Sequence, residues 1–384
     1  MKKIGFIPLR KNSRGIPNKN KRKMVGRPLF TWVLGEAIFS NLDEVYVFTD
    51  DAWVINFIKK EYHWTSKVKA VLRSDESATD TVSTEFAMLE FCESINYQFD
   101  IFCLLQATSP FTTRTDINAC LVPLNYDYDS ALTVVNTHRF LWNEDGTPIN
   151  YDPLNRPRRQ DFNGLLVENG AVYTATKAVL QKHNNRLGEY TAIVKMPEDS
   201  LLEIDSESDW IAVESLLIER QKRSKISAKI THVVLDVDGV FTDGTITYTK
   251  DGEHTKGFDM RDGMGLEILR QFDIQVMIMT SENSQLVAKR MEKLNIDHVF
   301  LGVKDKYTLL HKLVLEHGIS MNNVAYVGDD VNDLTNICSV GWSIAPNNAT
   351  DIVKSHADVV LSKPSGAGAI REACQFIMNY NKRF

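Results

Sequence analysis

One short stretch, residues 232–244, constrains the fold more than any other part of the chain. It reads HVVLDVDGVFTDG. Its apolar start is typical of a strand buried on both faces of a parallel sheet. Asp236 and Asp238 follow two residues apart, so both carboxylates leave the strand's carboxyl end on the same side. Ligands of open α/β sheets bind at such strand ends, and the stretch therefore indicates a site there.

Two interpretations of this aspartate pair are open, because neighbouring carboxylates repel unless a cation or a shared proton lies between them. In the first, one aspartate is a nucleophile that works with Mg2+ and the other is an acid/base. In the second, the pair forms an Asx-turn after a buried strand. Two downstream patterns favour the first interpretation: residues 277–280 read MIMT, a strand that ends in a hydroxyl, and residues 326–333 read YVGDDVND, a strand that ends in carboxylates.

A lysine, Lys306, lies between MIMT and YVGDDVND in chain order. The order of these four features, aspartate pair, threonine, lysine and second aspartate cluster, resembles the four motifs of the haloacid dehalogenase (HAD) phosphatase superfamily. The resemblance implies a two-step hydrolysis through an aspartyl-phosphate. It assigns the nucleophile to Asp236, the acid/base to Asp238, phosphoryl binding to Thr280 and Lys306, and Mg2+ to Asp236, the Asp238 carbonyl and Asp329, with Asp330 or Asp333 as outer support. Taken alone, a lysine such as Lys306 is more often a solvated helix-face residue, and the order of the motifs favours the functional interpretation.

Length and composition limit the classes of protein to which the chain can belong. A chain of 384 residues is too long for one ordinary core, and we predict domains at 1–225 and 226–384, joined by the polar linker 219–229. The net charge of −6 gives no reason to expect nucleic-acid or anionic-membrane binding. No membrane span or secretory signal is recognisable, and five scattered cysteines without a C-x-x-C pair indicate free buried thiols. We therefore expect a cytoplasmic protein.

A long polar loop follows the first predicted strand, Lys3–Leu9. It reads RKNSRGIPNKNKRKMVGRPL and carries eight basic residues. In isolation such a run is a nuclear-localisation tract or a solvated surface. Its place after a strand and before a predicted helix at 28–40 favours a third interpretation, in which cations and backbone N–H groups cradle a triphosphate.

Strands and helices alternate after this loop. Strands are predicted at 44–49, 68–72 and 101–106, with helices from about residues 52 and 82, which is a doubly wound pattern. It lacks both G-x-G-x-x-G and G-x-x-x-x-G-K-[ST]. The predicted fold class is therefore α/β with two domains, a doubly wound Rossmann-like nucleotidyltransferase domain and a capless HAD-like Rossmannoid domain.

Several segments of the first domain resemble the cytidylyltransferases that make CMP-sialic acid, among them PLRKNSRGIPNKN, LRSDESATDT, LLQATSP, RPRRQDFNG, ENGAVY and EIDSESDW. Animal members of that family also carry a HAD-like second domain. The resemblance implies attack of a nonulosonic acid on the α-phosphate of CTP, with release of pyrophosphate. It assigns triphosphate binding to Arg10, Ser13, Arg14, Lys19 and Asn20, nucleotide contacts to Arg73 and Thr84, sugar or substrate contacts to Gln106 and Asn169, and Mg2+ to Asp205 and Glu203. Arg10 and Lys19 would stabilise charge that develops on the phosphates.

Two of these assignments have open alternatives. Glu203 stands where many members have an aspartate, and the pair Glu203 and Asp205 is also compatible with a capping box before the next helix, an interpretation that can hold together with metal binding. Arg156, Arg158 and Arg159 suit the planar carboxylate of a sialic-acid-type substrate but serve phosphate equally well. The sequence does not select among the three.

The spacing between Asp238 and Thr280 leaves room only for a hairpin at 245–258, a loop and one helix, so no separate cap domain is expected. The segments GEHTKGFDMRDGMG and GAGAIRE resemble the tetrameric octulosonate 8-phosphate phosphatases and their nonulosonate 9-phosphate relatives, which implies a substrate contact for Arg261. Glu282 stands where the octulosonate type has arginine, and Ser365-Gly366-Ala367 replaces Gly-Gly-Arg. Both departures disfavour the octulosonate substrate.

The resulting hypothesis is a bifunctional enzyme that dephosphorylates a nonulosonate 9-phosphate and couples the free acid to CMP. It predicts a homotetramer formed through the HAD-like domain, because a capless site needs walls from a neighbouring subunit. The alternative is a monofunctional cytidylyltransferase whose second domain is an inactive tetramerisation scaffold. The acid itself stays open between N-acetylneuraminate, its deaminated analogue and a legionaminate-like relative.

Overall fold

The computed structural model describes residues 1–12, 15–79 and 81–384. The chain forms two compact units, the first from Met1–Arg22 and Pro28–Val213, the second from Lys23–Arg27 and Glu214–Phe384. The main changeover falls inside the helix Glu207–Arg223. The functional boundary near residue 225 stays a prediction.

The elements of the first half alternate as the sequence predicts. The strands are β1 (Lys3–Leu9), β2 (Lys23–Met24), β3 (Arg27–Pro28), β4 (Glu44–Thr49), β5 (Val68–Leu72), β6 (Ile101–Leu105), β7 (Ser130–Thr137), β8 (Leu165–Thr176) and β9 (Thr191–Met196). The helices are α1 (Leu29–Ile38), α2 (Ala52–Glu61), α3 (Thr84–Ser94), α4 (Arg114–Leu121), α5 (Lys177–His183) and α6 (Glu207–Arg223).

The first unit is built on a seven-stranded sheet in the order β5-β4-β1-β6-β8-β7-β9. Strands β5, β4, β1 and β6 run parallel, β8 is antiparallel to β6 and β7, and β9 is parallel to β7. Successive side chains of β1 enter opposite cores, since Phe6 packs in one apolar cluster and Ile7 in the other. The sheet is thus covered on both faces, and the carboxyl ends of its parallel strands remain for ligands.

The second unit follows with its own alternation. Its strands are β10 (His232–Leu235), β11 (Thr247–Thr249), β12 (Gly252–Thr255), β13 (Gln275–Met279), β14 (His298–Phe300), β15 (Val324–Val327), β16 (Trp342–Ala345) and β17 (Val359–Val360). Its helices are α7 (Met260–Gln271), α8 (Gln285–Lys293), α9 (Lys306–Glu316), α10 (Leu334–Ser339), α11 (Asp351–His356) and α12 (Ala369–Asn381).

Six of these strands form one parallel sheet in the order β14-β13-β10-β15-β16-β17. The central strand β10 is buried along its whole length, as its apolar run predicts. Between β10 and β13 the structure shows only the antiparallel pair β11–β12 and helix α7. The predicted fold class, with two α/β domains and a hairpin in place of a cap, is confirmed.

The five cysteines are Cys92, Cys103, Cys120, Cys338 and Cys374. All are buried and none is in a disulfide, as their spacing predicts. Burial raises the pKa of the Cys92 and Cys120 thiols to about 12, so these thiols behave as core side chains. No helix in the described part of the chain is long and apolar enough to cross a bilayer.

Candidate functional sites

A polar cavity of about 310 Å³ opens at the carboxyl edge of the parallel strands in the first unit. Arg10 directly follows β1, Arg73 follows β5 and Gln106 follows β6. These residues are far apart in sequence, and the sheet order brings them to one edge. The cavity is lined by seven of the predicted site residues: Arg10, Lys19, Asn20, Arg73, Thr84, Gln106 and Asp205.

The lining of this cavity is mainly cationic. Arg10, Lys19 and Arg73 supply positive charges and Asp205 a carboxylate. Burial and the nearby charge of Arg10 lower the pKa of Arg73, which shows that two guanidinium groups share a partly desolvated space. Such a space favours a polyanion.

The loop that carries Lys19 closes tightly on the segment before α6. Lys19 Nζ donates to the Ile204 carbonyl at 2.5 Å and lies 3.4 Å from Asp205 Oδ1. A Cβ atom at Gly15 would lie 2.1 Å from the Asp205 carbonyl oxygen, so only glycine permits this approach. The side-chain amide of Asn20 donates to the Arg10 carbonyl at 3.2 Å and joins the middle of the loop to its start.

The residue that caps helix α6 is Ser206, the neighbour of Asp205. The Asp209 amide donates to Ser206 Oγ at 3.2 Å, and the Asp209 carboxylate accepts from the Ser206 amide at 2.8 Å. This reciprocal pair is a capping box centred on Ser206. The Asp205 carboxylate is 74% exposed and lines the cavity, where it is available to a cation.

The remaining predicted residues of the first unit do not line the cavity. Arg156, Arg158 and Arg159 are exposed; Arg156 stacks over Phe140 at 4.5 Å, and Arg159 lies 3.6 Å from Glu198. Glu203 is also exposed. Ser13 and Arg14 lie outside the described residues.

Asn169 is 3% exposed and fully engaged inside the unit. Its oxygen accepts from Thr133 Oγ1 at 2.7 Å, and its amide donates to Ser200 Oγ at 3.0 Å. The resemblance gives this residue a substrate contact, whereas these bonds give it a part in joining β8 to β7. Its substrate role stays a prediction.

The second site lies where three adjacent strands of the second unit end. Asp236 directly follows β10, Thr280 follows β13, and Asp329 follows β15 after one glycine. Asp236 and Thr280 are 4% and 1% exposed. A Cβ atom at Gly239 would lie 2.0 Å from Asp329 Oδ2, and its φ is +80°, so the glycine of the DVDG stretch is needed for the approach of Asp329.

Lys306, the first residue of α9, is the cation of this site and is 2% exposed. Its Nζ lies 2.7 Å from Asp236 Oδ2 and 2.7 Å from Asp333 Oδ1. The Tyr326 hydroxyl donates to the same Asp333 oxygen at 2.6 Å. The structure therefore brings the predicted lysine and aspartate together and excludes a solvated position for Lys306.

Side-chain oxygens of Asp236, Asp329 and Asp333 all lie within 4.8 Å of one another. Burial raises the pKa of Asp236 to about 7 although Lys306 opposes the rise, and burial with the charges of Asp333 and Asp236 raises the pKa of Asp329 to about 8. When all are ionised, three carboxylates and one ammonium leave two uncompensated negative charges. A divalent cation with oxygen ligands fits this imbalance.

Asp238 comes two residues after Asp236 and has a partner that was not predicted from the sequence. Lys256 Nζ lies 2.7 Å from Asp238 Oδ1, and the other oxygen, Oδ2, is buried without a hydrogen-bond partner in the described structure. Arg261 is exposed and pairs with Asp259 at 2.5 Å. The structure thus pairs Asp238 with Lys256 and engages Arg261 with its own helix cap.

Comparison with known proteins gives two family matches. The family model described as cytidylyltransferase matches residues 4–208, and the model described as haloacid dehalogenase-like hydrolase matches residues 270–372. Together they cover most of both units.

Relatives with known names follow the same division. N-acylneuraminate cytidylyltransferase A of Danio rerio is 29% identical over 389 residues, 98% of this chain and 89% of the relative. The 3-deoxy-D-manno-octulosonate 8-phosphate phosphatase of Haemophilus influenzae is 39% identical over 149 residues, 39% of this chain and 83% of that protein. Among solved structures, the corresponding phosphatase of Moraxella catarrhalis with magnesium, phosphate and KDO is 34% identical, covers 44% of this chain and 94% of its own, and has a TM-score of 0.39.

Proposed function

We propose that this chain, which belongs to the cytidylyltransferase family and continues into a haloacid dehalogenase-like hydrolase domain, carries out two consecutive steps on one sugar. Residues 226–384 would hydrolyse a nonulosonate 9-phosphate, and residues 1–225 would couple the free acid to CMP. The observation that carries the proposal is the buried contact of Lys306 with Asp236 and Asp333, because a scaffold would have no need of so costly an arrangement.

In the first domain the sugar's anomeric oxygen would attack the α-phosphorus of CTP. A bond forms between that oxygen and phosphorus, the hydroxyl proton passes to solvent, the bond to the β-phosphate oxygen breaks, and pyrophosphate leaves. Arg10 and Lys19 line the cavity and would stabilise the charge that grows on the phosphates, while Asn20 holds the loop in place. Reactions of this kind depend mainly on positioning and charge neutralisation.

The acceptor would be a nonulosonic acid, as the name of the Danio rerio relative suggests by analogy. Its carboxylate needs a cation, and Arg156, Arg158 and Arg159 offer guanidinium groups that pair with carboxylates in two parallel bonds. All three are exposed, so they can turn towards a ligand at little cost. Gln106 lines the cavity and would contact the sugar.

In the second domain the Asp236 carboxylate would attack phosphorus. A bond forms from its oxygen, the bond between phosphorus and the sugar oxygen breaks, and Asp238 donates a proton to the leaving oxygen. Asp238 then takes a proton from a water that attacks the aspartyl-phosphate, and inorganic phosphate leaves. Lys306 and Thr280 would hold the phosphoryl oxygens throughout.

We propose Mg2+ as the cation of both sites. Asp236, Asp329 and the Asp238 carbonyl would hold it in the second domain, and Asp205 with Glu203 in the first. When bound, the ion neutralises charge on the phosphoryl group. Calorimetric titration with MgCl2 tests the second site: Asp329→Asn should weaken binding at least tenfold, and unchanged binding would remove Asp329 from the site.

We further propose a homotetramer formed through the second domain. Strand β11 is exposed over all three residues, and Tyr248 keeps 64% of its surface accessible. A hairpin of this kind beside a capless site is a suitable contact for a neighbouring subunit. Light scattering on the full chain tests this arrangement: a monomer that retains phosphatase activity would contradict it.

The direct test of the hydrolase activity is phosphate release from N-acetylneuraminate 9-phosphate with Mg2+ present. The wild-type chain should release phosphate, and Asp236→Asn should lose that activity by several orders of magnitude while retaining cytidylyl transfer. If the wild type releases phosphate no faster than Asp236→Asn from any sugar phosphate, the second domain is a scaffold and the chain is a monofunctional cytidylyltransferase.

A further inference from the structure

Five residues from the first part of the chain belong to the second compact unit. The segment Lys23–Arg27 joins Glu214–Phe384, while the residues on either side of it join the first unit. It forms a two-residue turn between the short strands β2 and β3, with Val25 at φ +51° and Gly26 at φ +85°. The segment Lys23–Arg27 is called the strap below.

The tip of the strap is buried against the segment that carries Asp333. Val25 and Met24 have no accessible surface. A Cβ atom at Gly26 would lie 1.8 Å from the Val331 carbonyl oxygen, and the Thr335 hydroxyl donates to the Val25 carbonyl. The strap therefore contacts residues two positions before and two positions after Asp333 in the sequence. Only glycine fits at residue 26.

The end of the strap packs against the start of helix α9. Arg27 is 3% exposed, and its Nη2 lies 2.8 Å from Asp305 Oδ2 and 2.7 Å from Thr308 Oγ1. Its guanidinium also stacks over Tyr307, 5.0 Å from the ring centre. Arg27 thus contacts the residue before Lys306 and the two residues after it.

Asp305 is the N-cap of α9, and Lys306 is the first residue of that helix. The same Asp305 oxygen that pairs with Arg27 accepts from Thr308 Oγ1 at 2.7 Å. Arg27 and Asp305 form a buried ion pair, and removal of one partner of such a pair is strongly destabilising. Removal of Arg27 would therefore loosen the N-cap of α9. The position of Lys306 at the start of that helix, and the contact of its ammonium group with Asp236, would then be less well fixed.

We infer that Arg27 is a positioning residue for Lys306, and that the strap is a working part of the hydrolase site although it comes from the other end of the chain. The inference rests on the proposed hydrolase function. It assigns to Arg27 no contact with substrate. It also implies that a fragment limited to residues 226–384 lacks a part of its own site.

The test uses the full chain and two variants, Arg27→Ala and the matched control Arg270→Ala. Arg270 also belongs to the second unit and donates to the carbonyls of Leu294 and Asn295 at 2.7 Å. Arg27→Ala should lower kcat for N-acetylneuraminate 9-phosphate roughly tenfold to a hundredfold, the scale of a small misplacement, with KM changed much less. Guanidinium chloride at millimolar concentration should restore part of kcat to Arg27→Ala. Arg270→Ala should lower stability but leave kcat within about twofold.

A second measurement is independent of activity. Amide hydrogen exchange at the first turn of α9, residues 306–309, should rise at least about tenfold in Arg27→Ala, while exchange in α12 stays unchanged. Unchanged exchange at that turn, or wild-type kcat in Arg27→Ala, would overturn the inference. If the wild type itself hydrolyses no sugar phosphate, the proposed hydrolase function fails, and the exchange data still decide whether Arg27 holds the start of α9.

Discussion

Lys256 Nζ lies 2.7 Å from Asp238 Oδ1, and the Lys256 side chain has no accessible surface. Lys256 follows strand β12 directly, so the exposed hairpin β11–β12 ends on the proposed acid/base. Glu253 of the same hairpin lies 3.5 Å from the lysine. The hairpin thus supplies the cation that holds the carboxylate proposed as the acid/base.

Replacement of Lys256 by methionine should lower kcat for sugar-phosphate hydrolysis about tenfold or more, since Asp238 loses the partner that fixes its direction. Steady-state phosphate release measures the change. Lys312→Met is the control, because Lys312 forms an ion pair with Glu316 along α9, and pairs of that kind contribute about 0.3–0.5 kcal/mol. Equal losses in both variants would show that the Lys256 contact is not specific to the reaction.

Replacement of Arg10 by alanine should lower kcat for cytidylyl transfer by roughly 10²-fold, the scale of one lost preorganised donor. Pyrophosphate release from CTP and N-acetylneuraminate measures this loss. Phosphate release by the second domain of the same variant should be unchanged.

The neighbouring Lys11 offers a matched control for Arg10. It is exposed and does not line the cavity, so Lys11→Ala should keep cytidylyl transfer within about twofold. A wild-type rate in Arg10→Ala would remove Arg10 from the nucleotide site, whereas loss of both activities would indicate misfolding.

His232 should contribute less to the stability of the second unit in mild acid than at neutral pH. His232 is buried beside the rings of His317 and, beyond it, His298, and burial together with these neighbours lowers the pKa of His232 from 6.5 to about 4. Between these values the imidazole of His232 binds a proton in the unfolded chain and not in the folded chain, so the contribution of His232 to stability falls as the pH falls through that window. At pH 5 this effect costs about 2 kcal/mol relative to pH 7.5.

Urea unfolding at pH 7.5 and pH 5.0 measures this effect. On going from pH 7.5 to pH 5.0, the change in the free energy of unfolding should be about 2 kcal/mol more favourable in His232→Gln than in the wild type, because the variant lacks the His232 effect and keeps those of the other groups. The same change in both proteins would show that His232 does not titrate within the window.

The strands that position the two sites could be predicted well from the sequence. The predicted strands at 3–9, 44–49 and 68–72 coincide with β1, β4 and β5. Strands β1 and β4 are almost fully buried and leave a nearly continuous apolar run. Asp236 and Asp329 could be placed together for a similar reason, since parallel strands bring their carboxyl ends to one edge.

Lys256, Arg27 and Tyr326 could not be assigned from the sequence. Each acts through a contact set by tertiary packing: Arg27 and Asp305 are 278 residues apart, and Tyr326 is an ordinary apolar position of a buried strand until its hydroxyl meets Asp333. Asn169 shows the opposite case, because a family motif suggested a ligand contact where its amide is bonded to Ser200 within the unit. Motif spacing identifies strand ends, whereas it does not identify which polar side chains the fold uses internally.

The most direct test of two consecutive steps on one chain is a single incubation with CTP, Mg2+ and N-acetylneuraminate 9-phosphate, in which CMP-N-acetylneuraminate, phosphate and pyrophosphate are all measured. The wild type should form all three in equal amounts, and Asp236→Asn should form none of them from the 9-phosphate but make the CMP-sugar from the free acid. A wild type that activates the free acid and leaves the 9-phosphate untouched would contradict the proposed function.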